Sequence, residues 1–334
     1  MTEANTPVLW RLLLRRAKSG TIHSRMTESR MSAQIIEAQP NQAALRRART
    51  RFWRGHLQGS EYAWAVAFCV PYIAVFLAFV IYPVAFGIWM GSDPTLYATL
   101  FSDPIYSTAL VNTALFLSVA INLKMFCALL LSGFFMRRDW WVKPLLMVFV
   151  LPWAMAALPA FISIHWLLNG EYGLLNNLLW HLFAITGPEW LAGRWTALGS
   201  AMLAHIWKSL PFWTVILLAG RMAIPLEIRD AAKVDGATAF RSFIHVSFPL
   251  LAHLYLICTL LSTIFSLGDF NPVFFVTGGG PAHSTQVLAT VSILYAFNIA
   301  QPRLGVAAVL SALPLLIPLA IVLMRKFRTA QVQL

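Results

Sequence analysis

The amino-acid sequence predicts an all-α, polytopic membrane protein with six membrane-spanning helices. Of its 334 residues, 59% are hydrophobic and only 11% are charged, whereas a soluble domain carries about 25% charged residues. Long apolar runs recur along the chain, and about 20 such residues are needed to cross the hydrocarbon core of a bilayer. Repeated membrane crossings are therefore the architecture that this composition favours.

Six apolar runs are long enough to span a membrane, and they lie at about 63–89, 108–134, 144–167, 196–219, 250–276 and 304–324. A seventh apolar stretch, 287–300, is too short to cross about 30 Å of hydrocarbon at about 1.5 Å per residue. We expect this stretch to form a helix near the outer surface.

The first 58 residues are polar and basic, and they contain eleven of the 25 Lys and Arg residues. They lack the apolar core and cleavage site of a secretory signal peptide. We predict that this extension, 1–58, is cytoplasmic and largely disordered, apart from a short membrane-surface helix near 44–56. The membrane domain then occupies 59–334, and Met26 and Met31 are alternative start positions.

The net charge of +12 could indicate a nucleic-acid partner, but no nucleic-acid-binding motif accompanies it. Most of the remaining Lys and Arg residues flank apolar runs, where such charges set membrane topology. The connections rich in Lys and Arg are 135–143, 220–249 and the C-terminal tail. Arg194 is the single Lys or Arg residue in the other three connections, 90–107, 168–195 and 277–302. Because basic loops stay inside, we expect both termini to be cytoplasmic, which agrees with six spans.

The connection 220–249 is long and mixed in composition for a short cytoplasmic loop, and it predicts two short helices. Pro225 suits the first position of the first helix. Glu227 falls in its first turn, where the helix dipole favours a carboxylate. Ala231 and Ala232 give this helix a thin face that can enter a cleft.

Asp235-Gly236 is expected to end the first helix, because glycine readily takes positive φ. A second short helix then places Phe240, Phe243 and Ile244 on one face, and Pro249 is predicted to open the fifth span. A helix–turn–helix at the inner mouth of a bundle suits a force-transmitting contact with a soluble partner. An interfacial amphipathic loop with no partner fits the same shape equally well.

The same segment resembles the loop signature of permeases from binding-protein-dependent ABC importers: Glu-Ala-Ala, three residues, Gly, nine residues and then Ile-x-Leu-Pro. The spacing is kept throughout, with Asp replacing Glu, Val replacing Ile and Phe replacing Leu. The matching positions are Asp230, Ala231, Ala232, Gly236, Val246, Phe248 and Pro249. The resemblance implies that this segment, together with Glu227, couples the chain to an ATPase.

Two further stretches resemble the permeases of carbohydrate importers in particular. One is Trp207-Lys208-Ser-Leu-Pro-Phe, followed by Leu-Ala-Gly at 218–220, and the other is Asp269-Phe270-Asn271-Pro, followed by Thr-Gly-Gly-Gly-Pro at 277–281. Together they resemble the first permease subunit of the maltose and glycerol-phosphate type, over roughly 60–330.

This resemblance implies a type I ABC importer transmembrane domain, which forms half of a translocation pathway in the bacterial inner membrane. The implied solute is a sugar or sugar-like compound, such as an oligosaccharide, a polyol or a glycerol phosphate. The implied partners are a second similar permease subunit, two copies of a cytoplasmic ATPase and a periplasmic solute-binding protein.

The chain is expected to be a transport subunit and not an enzyme. It has no Gly-x-x-x-x-Gly-Lys-Ser/Thr loop to hold ATP phosphates, so ATP and Mg²⁺ should bind the partner ATPase. The three cysteines lie within apolar runs without metal-ligand spacing. We therefore predict no catalytic residue, metal site or cofactor on this chain.

Six residues are candidates for the solute path: Trp207, Lys208, Trp213, Asp269, Phe270 and Asn271. Lys208 falls near the middle of the fourth span, where a charge is costly and indicates function, unless it snorkels or pairs with a carbonyl. Asp269 and Asn271 lie where the fifth span is interrupted, and broken helices often border solute cavities; a helix cap is the alternative.

The indoles of Trp207 and Trp213 could stack on sugar faces, although interface packing is the commoner role of Trp. Lys124 is assigned to snorkelling, and the four histidines within or beside the spans are assigned structural roles. An ion-coupled secondary transporter of a small polar solute is the alternative function. It would need intramembrane carboxylates or a histidine relay, and the spans offer only Asp269 near an end.

Overall fold

The computed structural model describes residues 59–137 and 139–314, together with residues 317 and 321. Within these residues every regular element is helical, as the sequence predicts. The chain divides into two compact units at residues 80 and 81. The extension 1–58, with its predicted helix at 44–56, lies outside the described residues.

The helices of the first half of the chain are α1 (Gly59–Phe76), α2 (Tyr82–Met90), α3 (Pro94–Ser102), α4 (Pro104–Leu115), α5 (Ile121–Phe134), α6 (Val142–Ala154), α7 (Ala157–Leu167) and α8 (Leu174–Phe183). Short π-helical segments join α1 to α2 at Leu77–Ile81 and α4 to α5 at Phe116–Ala120.

The helices of the second half are α9 (Arg194–Met222), α10 (Leu226–Val234), α11 (Ala239–Ser242), α12 (Phe248–Gly268), α13 (Asn271–Val276), α14 (Leu288–Ile293) and α15 (Pro302–Leu310). Further π-helical segments follow α11 at Phe243–Ser247 and α14 at Leu294–Asn298.

Four helices among the described residues are long and apolar enough to cross a membrane: Trp64–Met90, Pro104–Phe134, Arg194–Met222 and Phe240–Gly268. They correspond to the predicted first, second, fourth and fifth spans. The first of them crosses the boundary between the two units.

The predicted third span, 144–167, is not one straight helix, because α6 and α7 meet at an angle of 97°. Its beginning packs against the C-terminal half of α9, where Val142 lies with Leu218. Its end packs nearer the other end of α9, where Phe161 lies with Ala204. Fourteen residues of helix separate those two positions, or about 21 Å, so we interpret the bent pair as a broken span.

The predicted sixth span, 304–324, begins in α15, but most residues beyond 314 lie outside the described part of the chain. The prediction of a shorter apolar helix at 287–300 is confirmed. An apolar helix occupies Leu288–Asn298 and is shorter than the spanning helices.

Helix α9 lies at the centre of the second unit, where it contacts α5, α6, α12 and α13. Trp213 and Leu217 of α9 are buried against Met125 of α5 and Cys258 of α12. Gly220 allows the end of α9 to approach α12 closely, because a Cβ at this position would collide with Leu254. This packing holds the residues of the candidate site in place.

Candidate functional site

The predicted coupling segment contains an exposed helix, α10, that ends in a glycine turn. Glu227 lies in its first turn, as predicted, while Pro225 precedes the first helical residue instead of occupying that position. Gly236 has a φ of +75°. The N–H groups of Gly236 and Ala237 donate to the carbonyls of Lys233 and Ala232, at 3.0 Å each, which is the hydrogen-bond pattern of a glycine-capped helix end.

The two alanines of the signature lie on different sides of α10. Ala232 is buried, whereas Ala231 is exposed, so the predicted thin face is only partly turned outward. Asp230 forms an ion pair with Lys233 at 2.7 Å, and both side chains remain mostly exposed. An exposed pair of this kind contributes about 0–1 kcal/mol, so it adds little to the stability of α10.

The predicted second short helix is not separate from the fifth span. Phe240–Gly268 is one continuous apolar helix, and Pro249 lies inside it instead of opening it. A π turn precedes the proline, in which the Phe248 N–H donates to the Phe243 carbonyl. Because proline has no N–H and crowds the preceding turn, this wider turn lets the helix continue.

The three residues that were expected to share one face, Phe240, Phe243 and Ile244, are not buried together. Phe240 and Ile244 are exposed, while Phe243 is half-buried. The Phe243 ring lies under the guanidinium of Arg221, whose Cζ is 4.7 Å from the ring centroid. The face divides because Phe243 turns toward the bundle.

Arg221 is a residue whose role the sequence did not reveal. It lies in the last turn of α9 and is buried. Its Nη2 donates to the Leu129 carbonyl of α5 at 2.8 Å, while its guanidinium stacks on Phe243. Arg221 therefore joins α5, α9 and the start of the fifth span, five residues before α10 begins. A cavity of about 360 Å³, lined by Arg221, Asp230 and Lys233 among others, lies beside it.

A second candidate region lies deeper in the bundle, where three ionisable side chains from three helical segments meet. The Lys124 Nζ of α5 lies 3.0 Å from His205 Nε2 of α9. The opposite ring nitrogen, Nδ1, lies 3.5 Å from Asp269 Oδ2, just beyond α12. Ser266 Oγ is 3.0 Å from His205 Nε2. A Lys–His–Asp cluster therefore links the second, fourth and fifth spans.

This cluster borders a cavity of about 380 Å³ that contains both aromatic and polar groups. The aromatic lining residues are Trp153, Phe212, Trp213 and Phe265, and the polar ones are Lys124, His205, Ser209, Ser262, Ser266 and Asp269. The rings of Trp153 and Phe212 stack with centroids 5.4 Å apart. The buried Ser262 Oγ has no hydrogen-bond partner among the described residues. The cavity thus offers apolar faces and hydrogen-bonding groups together.

The six predicted solute-path residues do not all meet in this cavity. Trp213 and Asp269 line it. Asn271 supports it indirectly, because its backbone N–H and side-chain Nδ2 both donate to Asp269 Oδ1, at 3.1 and 2.7 Å. Phe270 instead lines a separate, largely apolar cavity of about 450 Å³. Trp207 is exposed and is not among the residues of either cavity.

Lys208 is occupied with backbone carbonyls at the bend of the broken third span. Its Nζ donates to the carbonyls of Pro152 and Met155, at 3.0 and 2.7 Å. These carbonyls lie at the end of α6, where a helix leaves its last C=O groups without partners. Of the two interpretations of Lys208, the carbonyl pairing is the one that the structure contains.

Lys124 and His205, which the sequence assigned to snorkelling and to structure, are central to the cavity instead. Lys124 is only 1% exposed, so its ammonium does not reach an aqueous surface. The signal that could have found it is its position inside an apolar run, because an intramembrane charge indicates function by default. The serines that line the cavity carry no comparable signal.

Comparison with known proteins identifies the family. Residues 124–328 match the family described as binding-protein-dependent transport system inner membrane component. The chain belongs to this family. It is thus a multi-pass inner-membrane permease subunit of an ABC transport system.

Individual relatives agree with that assignment. A probable ABC transporter permease of Brucella suis is 34% identical over 65% of this chain and 72% of its own length. The trehalose/maltose transport system permease of Thermococcus litoralis is 28% identical over 77% of this chain and 90% of its own length.

The fold has a counterpart among solved structures. A chain of a bacterial ABC transporter that imports the acidic polysaccharide alginate aligns with a TM-score of 0.71, over 84% of this chain and 99% of that one. Its sequence identity of 18% supports the shared fold. The all-α architecture of an ABC importer transmembrane domain is therefore confirmed.

Proposed function

We propose that this permease forms half of the pathway by which an ATP-driven importer moves a sugar or sugar-like solute across the inner membrane. The observation that carries the proposal is a physical connection within one helix. Helix α9 lines the cavity with His205 and Trp213, and only three residues separate its end from the exposed coupling helix α10. An ATPase that moves α10 would thus act on the wall of the cavity.

The chemistry of the cavity suits a carbohydrate. Sugar rings present apolar C–H faces and hydroxyl edges, so aromatic side chains and hydrogen-bonding groups are needed side by side. Trp213 and Phe212 supply the aromatic faces, and Ser209 and Ser262 supply hydrogen-bonding groups. A few polar groups in a largely apolar cavity are the usual features of a small-molecule site. The trehalose/maltose relative supports the same solute class.

The proposed assembly contains a second, similar permease, two copies of a cytoplasmic ATPase and a periplasmic binding protein that delivers the solute. ATP and Mg²⁺ bind the ATPase. Both termini of this chain are assigned to the cytoplasm because the basic connections lie on that side. Glu227, Asp230, Ala231, Ala232, Gly236 and Pro249 belong to the contact with the ATPase or to its support.

The test is uptake and ATP hydrolysis by the reconstituted transporter. Vesicles containing both permeases and the ATPase should take up solute when the loaded binding protein and ATP are present on the appropriate sides. Uptake should persist when ion gradients are dissipated. Uptake that requires an ion gradient and ignores ATP would favour the secondary transporter, for which the Lys124–His205–Asp269 cluster would serve as the ion relay.

The role of the coupling segment is tested with Asp230→Lys. This change reverses a largely exposed charge and replaces the pair with Lys233 by a repulsion. We expect solute-stimulated ATP hydrolysis and uptake to be abolished, while membrane insertion and pairing with the second permease persist. Near-normal uptake would instead indicate an inert interfacial loop.

A further inference from the structure

We propose that the transported solute carries an acidic group, such as a carboxylate, sulfonate or phosphate on a sugar or polyol, and that Lys124 binds this group. The inference rests on the proposed function and adds the chemical class of the solute to it. It starts from a cation that is buried within the membrane domain and faces the 380 Å³ cavity.

The ammonium of Lys124 has unused hydrogen-bonding capacity. A lysine ammonium carries three N–H donors and no acceptor. Among the described residues its hydrogen-bond partner is His205 Nε2, which takes one of those donors. Removing an ammonium from water is costly unless other groups pair with it. Two donors therefore remain for a ligand in the cavity.

The carboxylate of the cluster is committed elsewhere. Asp269 Oδ1 accepts two hydrogen bonds from Asn271 at the start of α13, and Oδ2 faces Nδ1 of His205. The His205 imidazole lies between the Asp269 carboxylate and the Lys124 ammonium, because Lys124 contacts the other ring nitrogen, Nε2. A neutral His205 that directs its Nδ1–H at Asp269 and accepts from Lys124 at Nε2 satisfies both contacts. Asp269 thus orients the ring, while the positive charge faces the cavity.

The rest of the cavity accommodates the neutral part of such a solute. Trp153, Phe212 and Trp213 offer aromatic faces within the same lining, and the Ser262 hydroxyl offers an unused hydrogen-bonding group. A solute with a sugar ring and one acidic substituent would satisfy the aromatic faces and the ammonium together. A carboxylate from the second permease is the competing partner for Lys124, and it would remove the need for an acidic solute.

The experiment compares matched acidic and neutral solutes. The complete permease–ATPase complex in lipid nanodiscs, without the binding protein, is dialysed to equilibrium against radiolabelled cellobiouronic acid or cellobiose. The same comparison is made with glycerol 3-phosphate and glycerol. Because a hydrogen-bonded charge contributes strongly, the acidic member of at least one pair should bind on the order of ten- to a hundredfold more tightly.

Three variants identify the source of that preference. Lys124→Met keeps much of the side-chain length without the charge, and it should abolish the preference for the acidic solute. Lys124→Arg keeps the charge and should retain the preference. Lys143→Met removes an exposed lysine elsewhere in the chain and should change nothing. Retention of the preference in Lys124→Met would overturn the role of Lys124.

The remaining outcomes separate this inference from the proposed function. Equal binding of acidic and neutral solutes by the wild-type complex, including a failure to bind either, overturns the acidic class. If ATP-driven uptake of a neutral sugar is intact in the same preparation, the proposed function survives that result. If no sugar stimulates ATP hydrolysis or uptake when the binding protein is present, the proposed function fails as well.

Discussion

The turn at Gly236 offers the sharpest test of the coupling segment, because its structural demand can be isolated. Gly236 has a φ of +75°, and a Cβ added there would meet nothing within 4 Å. A substitution therefore introduces backbone strain without a steric clash. We predict that Gly236→Val abolishes solute-stimulated ATP hydrolysis and uptake, while Gly236→Asn leaves both close to wild type.

The size of the expected effect follows from the free-energy cost of the left-handed backbone conformation at position 236. This conformation costs about 1–2 kcal/mol for an ordinary L-residue, more for a β-branched one and less for asparagine, which visits it readily. A cost of 1–2 kcal/mol changes an equilibrium constant by a factor of roughly 5–30. The native turn at the end of α10 would become less favoured than other turns by this factor. Uptake and stimulated ATP hydrolysis should therefore decrease in the order Gly, Asn, Ala and Val at position 236.

The assay measures ATP hydrolysis and uptake by the complete transporter in vesicles, with the loaded binding protein present. Gly87→Val is the matched control, because Gly87 also has open space around it but lies within helix α2. All variants should insert in the membrane and assemble with the second permease. If Gly236→Val matched Gly236→Asn in both rates, positive φ would not be what this position requires.

Three further predictions use the same preparation. Arg221→Met should lower the amount of solute taken up per ATP hydrolysed, because it removes the hydrogen bond to the Leu129 carbonyl. An unchanged ratio would exclude a role for Arg221 in coupling α10 to the cavity. Lys208→Met should destabilise the bend of the third span by about 1.5–3 kcal/mol, the contribution of a charged hydrogen bond, and an unchanged thermal inactivation temperature would contradict this. Reporter fusions after residues 140 and 235 and at the C-terminus should read cytoplasmic, and those near 98, 180 and 283 periplasmic; a cytoplasmic reading at 180 would refute six spans.

The features predicted correctly from the sequence are those that local chemistry determines. The first, second, fourth and fifth spans follow from the length of their apolar runs. The end of α10 follows from Gly236, since few other residues tolerate its backbone conformation. The position of Glu227 in the first turn follows from the helix dipole. Each of these requires only a few neighbouring residues.

The polar cluster could not be found in this way, because it depends on how separate helices are rotated against one another. Lys124 and His205 are 81 residues apart in sequence, and His205 and Ser266 are 61 apart. A histidine in an apolar run is ambiguous until its neighbours are known. Reasoning from the sequence therefore identified Asp269 but missed the two residues that make it part of a site.

Two proline positions show a second reason why the local sequence does not predict every feature of the fold. Pro249 was predicted to open a span, yet the helix passes through it by means of a π turn. Pro152 lies in α6 shortly before the 97° bend, which the apolar run did not reveal. In a membrane, neighbouring groups can satisfy the backbone that a proline frees. At the bend Lys208 satisfies the last C=O groups of α6, and its location in another span makes that compensation invisible in the local sequence.

The arrangement of α9 explains how events at the two candidate regions can be linked. His205 in the cavity and Arg221 at the C-terminal end of α9 are separated by 16 residues of helix, or about 24 Å. Gly220 fits closely against α12, and Arg221 is bonded to α5. Helix α12 carries Ser266 and helix α5 carries Lys124, and both residues belong to the cavity wall. A displacement of α10 that is transmitted through the short linker 223–225 would therefore act on α5, α9 and α12, the three helices that carry these cavity residues.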